Sequence, residues 1–142
     1  MADDVIFDAL AASELFGGLA PKQLKAIQKA GREMSFPAGT ELVVENDEAG
    51  RFFLIVEGKA EVMVGGETRA TLGPGAAVGE LALIDGGARS ATVTAATDLR
   101  TFSLASWSFR PFLREPDVAN AVIELLCRRL RSANAAASGP KT

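Results

Sequence analysis

The 142-residue chain has no histidine and one cysteine, Cys127. Without histidine there is no histidine-built zinc site, no Ser-His-Asp triad and no Cys-His dyad. A single thiol forms neither an internal disulfide nor a cysteine-built metal site, and it fits a reducing compartment. Cys127 lies in the apolar run 122–130, where it reads as a small core residue. No acidic cluster has the alternating spacing of a calcium loop. The start, Met1-Ala2-Asp3-Asp4, lacks the basic segment of a signal peptide, and no apolar run reaches the ~18 residues of a membrane span. An excess of positive charge is missing too. The net charge is −3 and the pI about 5.0, which gives no nucleic-acid footprint. These absences predict a cytoplasmic protein that engages neither membrane nor nucleic acid.

What remains is an ordinary globular composition, 48% hydrophobic and 23% charged, at a length that fits one domain. Residues 3–16 read as a helix with Val5, Ile6, Leu10 and Leu15 as its apolar positions. A second helix is predicted from Pro21 to about Ala30, with Leu24 and Ile27 buried and Gly31 just past its end. Between residues 33 and 103 the character changes to short runs separated by turn residues. Residues 52–56 predict a buried strand. Residues 60–64 and 67–72 flank Gly65-Gly66, a strong hairpin signal, and further strands fall at 91–94 and 99–102. A short helix at 106–113, with Trp107 in the core, precedes a longer one from Pro116 to about 136. Its stripe of Val118, Val122, Leu125, Leu126 and Leu130 can pack on the strands or on a second copy of the chain. The order predicts an α+β fold: an antiparallel, jelly-roll-like β roll with N-terminal helices and a C-terminal helical lid. The organisation expected is a helical lead-in at 1–12, one domain at 13–136 and a disordered tail at 137–142.

One segment carries chemistry: Gly79-Glu80-Leu81-Ala82-Leu83-Ile84-Asp85-Gly86-Gly87-Ala88-Arg89-Ser90-Ala91-Thr92. Residues 80–83 favour a turn of helix that Gly86-Gly87 breaks. Unpaired backbone N–H groups at such a helix start attract anions. The Arg89 guanidinium can grip a phosphate with two parallel bonds. Ionised Glu80 only accepts, so it suits sugar hydroxyls rather than phosphate. An anion gripper and a hydroxyl acceptor on one loop suit a ribose phosphate. The same spacing also allows a plain loop salt bridge between Glu80 and Arg89, with the glycines serving turns alone.

The segment resembles the phosphate-binding cassette of the cyclic nucleotide-binding domain family. That family includes regulatory subunits of cyclic-AMP-dependent protein kinase, cyclic-nucleotide-gated channels and bacterial catabolite activators. Gly79, Glu80, Leu81, Ala82, Arg89, Ser90, Ala91 and Thr92 match its pattern, and the Glu80-to-Arg89 interval is of the kinase type. Leu15-Phe16-Gly17-Gly18-Leu19, Phe36-Pro37-Ala38-Gly39-Thr40 and Phe53-Leu54-Ile55-Val56-Glu57-Gly58 extend the resemblance over roughly residues 13–133. Ala88 departs from it, standing where many members have proline.

The resemblance implies a sensor rather than an enzyme, with a cyclic purine nucleotide as ligand and no cofactor. Glu80 would bind the ribose 2′-hydroxyl and Arg89 the cyclic phosphate. Backbone groups of Gly79, Leu81 and Ala82 would complete the cradle, and Ser90 would add a hydroxyl bond. Asn134, near the end of the last helix, could reach a purine edge, although a solvated Asn134 is the simpler reading. Serine at position 90 permits cyclic GMP, but in the bacterial activators it accompanies cyclic AMP, the ligand expected here. The effector would be a protein of unknown identity. Three other readings compete. A cupin-like metal enzyme needs histidines that are missing. A transcription regulator would need a helix-turn-helix after the last helix. A cassette that has lost its ligand could persist as an interaction surface.

Overall fold

The computed structural model describes residues 2–46, 50–79 and 91–138. Two helices, α1 (Ala2–Ala12) and α2 (Pro21–Ala30), lead into eight strands. These are β1 (Arg32–Phe36), β2 (Glu41–Val43), β3 (Arg51–Glu57), β4 (Ala60–Val64), β5 (Glu67–Leu72), β6 (Ala77–Val78), β7 (Thr92–Ala95) and β8 (Leu99–Ala105). A short helix α3 (Ser106–Phe109) and a 3-10 turn (Arg110–Arg114) precede the long helix α4 (Pro116–Ser138). The strands form two four-stranded antiparallel sheets, ordered β1-β8-β3-β6 and β2-β7-β4-β5. This is the α+β roll with helices at both ends that the sequence predicts.

Three layers follow from the side-chain alternation of β3. Phe52 and Leu54 point into a cluster with Phe16, Ile27, Phe102, Leu104, Phe109 and Leu125, which joins the helices to the first sheet. Phe53 and Ile55 point the other way, into a cluster with Val78, Val93, Ala95 and Leu99 between the sheets. A strand covered on both faces needs no polar face, which is why Phe52-Phe53-Leu54-Ile55 is an unbroken apolar run. Phe16 anchors the helical layer, meeting Phe52 and Phe109 edge-on at 5.8 and 5.9 Å.

The turns obey local chemistry. Ser13 Oγ donates to Leu10 O at 2.7 Å and accepts from Phe16 N, closing the turn after α1. Helix α1 therefore stops at Ala12, four residues before the expected end at residue 16. Gly65 and Gly66 both have positive φ, +58° and +82°, as a two-residue hairpin turn requires. Gly58 (φ +97°) joins β3 to β4, where a Cβ would strike the carbonyl of Asp98. On the first sheet Arg100 pairs with Glu33 of β1 and Glu57 of β3. The hydrogen bond that Arg100 donates to the Glu33 carboxylate is the chief cause holding its pKa above the ordinary arginine value.

Burial departs from expectation at several residues. Trp107, expected in the core, is 75% exposed, because α3 is one turn long and buries Phe109 instead. Cys127 is exposed rather than buried. Only Val118, Val122 and Leu125 of the predicted α4 stripe are buried, while Leu126 and Leu130 face outward with Ile123. At about 100° per residue, Leu126 and Leu130 fall on the Ile123 side of the helix, off the arc of Val118, Val122 and Leu125. Val5 is likewise exposed while Ile6 and Leu10 are buried. Strands β1 and β2 form at 32–36 and 41–43 although neither has a clean apolar alternation. Among the described residues no helix is long and apolar enough to cross a membrane.

Candidate functional site

The cassette segment is flanked by strands that belong to different sheets. Its entry, β6, is the edge strand of the first sheet and pairs with β3 through Phe53–Val78 and Leu54–Ala77. Its exit, β7, lies inside the second sheet between β2 and β4. The first sheet's pairing ends at Val78, and by Thr92 the chain belongs to the second sheet. Gly79 makes the exit from β6 with φ +82°, a left-handed conformation that disfavours any residue with a Cβ. The first motif residue thus has a backbone reason to be glycine.

Glu80, Leu81, Ala82, Arg89 and Ser90 lie outside the described residues. The sequence reading therefore stands as an expectation for them, and the structure describes the stems that hold them. Ala76 and Gly75 tie the entry to β3: Ile55 N donates to Ala76 O at 2.9 Å and Gly75 N to Ile55 O at 2.8 Å. At the exit, Thr92 Oγ1 accepts from Glu45 N at 2.9 Å, and the Glu45 carboxylate accepts from Gly65 N at 3.1 Å. The last motif residue is thereby linked through Glu45 to the β4–β5 turn. In the sequence Glu45 merely opens a polar stretch with Asn46-Asp47. Its role needs a partner 47 positions away, which no local pattern reveals.

An apolar wall lies beside these stems. Val62, Leu72 and Ala76 are half-buried and pack on Val78 and Val93 of the cluster between the sheets. Arg51 opens β3, two residues before the Phe53–Val78 pair, and donates to the buried Ser103 Oγ at 3.0 Å. Burial, and secondarily Arg32, lower its pKa from the ordinary arginine value. Asn134 is exposed on α4, more than two turns beyond Leu125, the last buried residue of that helix. Between them, Arg128 Nη2 reaches Glu14 O at 3.5 Å and Arg129 Nε pairs with the Glu14 carboxylate at 3.3 Å. Among the described residues no group of three or more His, Cys, Asp or Glu could hold a metal ion.

Known proteins share this arrangement. The family model described as "Cyclic nucleotide-binding domain" matches residues 33–115. The chain is 34% identical to the cyclic AMP receptor protein of Thermus thermophilus over 128 residues, covering 86% of this chain and 59% of that one. The N-terminal domain of a transcriptional regulator from Streptomyces coelicolor superposes with a TM-score of 0.79 at 32% identity, covering 89% of this chain and 93% of that chain. The regulatory domain of Toxoplasma gondii protein kinase A, solved with cyclic AMP, superposes with a TM-score of 0.72 at 30% identity, covering 78% and 44%. The chain spans about three-fifths of the length of the curated bacterial regulators it matches.

Proposed function

The chain belongs to the cyclic nucleotide-binding domain family, and from that premise we propose that it is a sensor of cyclic AMP that uses the cassette at 79–92. The observation that carries this reading is the join of motif and frame. An intact Gly79-Glu80-Leu81-Ala82…Arg89-Ser90-Ala91-Thr92 motif starts at a left-handed Gly79 and ends at a Thr92 pinned to Glu45. Arg89 grips the cyclic phosphate, and Glu80 accepts from the ribose 2′-hydroxyl. Backbone groups of Gly79, Leu81 and Ala82 complete the cradle, with the Ser90 hydroxyl beside them. The half-buried wall of Val62, Leu72 and Ala76 offers apolar cover for the rest of the ligand. Asn134 would read the adenine edge when α4 closes as a lid. The domain itself performs no catalysis.

The exposed Ile123, Leu126 and Leu130 of α4 recur at spacings of three and four, so a second copy can cover them as a helical seam. A second reading is that the domain serves as the sensor portion of a transcription regulator. It is favoured by the relatives named as transcriptional regulators, of which the chain spans about three-fifths. Isothermal titration with cyclic AMP and cyclic GMP tests the first reading. Saturable binding with cyclic AMP preferred by roughly tenfold is expected, the difference of one or two hydrogen bonds. Absence of binding to both nucleotides refutes the sensor reading. Duplex-DNA binding that responds to cyclic AMP would favour the second.

A further inference from the structure

The charges of this acidic chain are unevenly placed. From Ala20 to Arg32 the sequence holds Lys22, Lys25, Lys29 and Arg32 and no acid. From Ser106 to Arg114 it holds Arg110 and Arg114 and again no acid. Helix α3 packs against α2, so the fold brings the two acid-free segments together. All six cations are exposed, and among the described residues none of them pairs with an acid. Arg69, Arg100 and Arg129 elsewhere all have carboxylate partners.

The arrangement on α2 is a row. Leu24 and Ile27 are buried, which turns Lys22, Lys25, Ala26 and Lys29 outward at i, i+3, i+4 and i+7. These four border a shallow recess of about 450 Å³. Like charges at such spacings repel along a helix. Trp107, on the neighbouring α3, is the most exposed of the large apolar side chains. A cationic row without paired carboxylates, on the helix next to the one that carries the exposed Trp107, costs the isolated fold something. An anionic partner lying on both would offset that cost.

The chemistry of the partner can be narrowed. Duplex DNA is disfavoured by the net charge of −3 and by the shortness of the row, whose rise is roughly 10 Å at 1.5 Å per residue. A flat bilayer would engage the rim of a recess poorly, with a single tryptophan to insert. A helix carrying carboxylates at the same spacing can meet the lysines one for one, and the small Ala26 lets its backbone approach. We propose that the exposed face of α2 docks an acidic helical segment of a protein partner, with Lys22, Lys25 and Lys29 as charge contacts and Trp107 as the apolar anchor.

The chain has one tryptophan and no tyrosine, so its emission reports on Trp107 directly. The test titrates the full chain with a tryptophan-free helical peptide bearing glutamates at i, i+3 and i+7. A saturable change in emission is expected, weakening as salt rises from about 0.05 to 0.5 M. The triple variant Lys22→Gln/Lys25→Gln/Lys29→Gln should bind roughly tenfold or more weakly with its far-UV circular dichroism unchanged. If that variant folds poorly, Lys25→Glu should still lose about fivefold while Lys59→Glu loses less than about twofold. No saturable change, or equal effects of Lys25→Glu and Lys59→Glu, would overturn the proposal. So would tighter binding to phosphatidylserine vesicles or to duplex DNA at the same salt.

Discussion

In the proposed cassette Arg89 takes the phosphate and Glu80 the ribose hydroxyl, so their variants should fail differently. Arg89→Ala leaves a desolvated phosphate without its partner, a loss of roughly 3–5 kcal/mol, or about two to three and a half decades in Kd by titration calorimetry. Arg89→Lys keeps the charge but not the planar fork, so it should fall between wild type and Arg89→Ala. For Glu80 the ligand is the better probe. A 2′-deoxy cyclic nucleotide should lose affinity for the wild type and far less for Glu80→Ala, and equal losses would detach Glu80 from that hydroxyl. Thr92 belongs to the frame. Thr92→Val removes the acceptor of Glu45 N, and a half-buried donor left unpaired costs about 1–3 kcal/mol in urea denaturation. The cassette motif was legible in the sequence through its resemblance to the family pattern, and the roles of Glu80 and Arg89 are what that resemblance implies. Thr92–Glu45 was not, since its partners meet only after two sheets have formed.

Among the elements, α4 is divided in two. Val118, Val122 and Leu125 lie in the core, whereas every described side chain from Leu126 to Ala135 is exposed. Leu125→Ala should therefore cost about 2–5 kcal/mol, while Leu130→Ala should stay within about 0.5 kcal/mol in the monomer. The lid role assigned to this helix predicts that hydrogen exchange in its distal half slows when cyclic AMP saturates the domain. Unchanged protection would remove the lid from the mechanism. Helical periodicity placed five residues on one stripe, of which Val118, Val122 and Leu125 are buried and Leu126 and Leu130 are not. How far along that stripe the body extends was not in the pattern, because it depends on where α1 and the first sheet end. The same distinction applies to Trp107. Composition favours burial of a large aromatic, but a one-turn helix has only one inward position and Phe109 occupies it.

For the whole molecule, ligand binding and folding are linked. A nucleotide at a hundred times its Kd should stabilise the domain by about 2.7 kcal/mol, raising Tm by roughly 5–10 °C for a chain of this length, and Arg89→Ala should remove that shift. If a second copy covers Ile123, Leu126 and Leu130, sedimentation should show a dimer that Ile123→Glu/Leu130→Glu converts to a monomer. A wild type that stays monomeric at about 100 μM would exclude a seam with micromolar affinity. By itself the sequence determined the element order, the Gly65-Gly66 hairpin and the doubly covered β3. Each of these is written in local spacing, turn residues or side-chain type. Only the tertiary structure decided that the cassette stems belong to different sheets, that Glu45 pins Thr92, and that α3 packs against the lysine-bearing α2. It also decided that Trp107, Cys127 and the distal half of α4 face outward. Those outcomes depend on which surfaces remain uncovered once the layers have packed, a property of the assembled shape rather than of any run of residues.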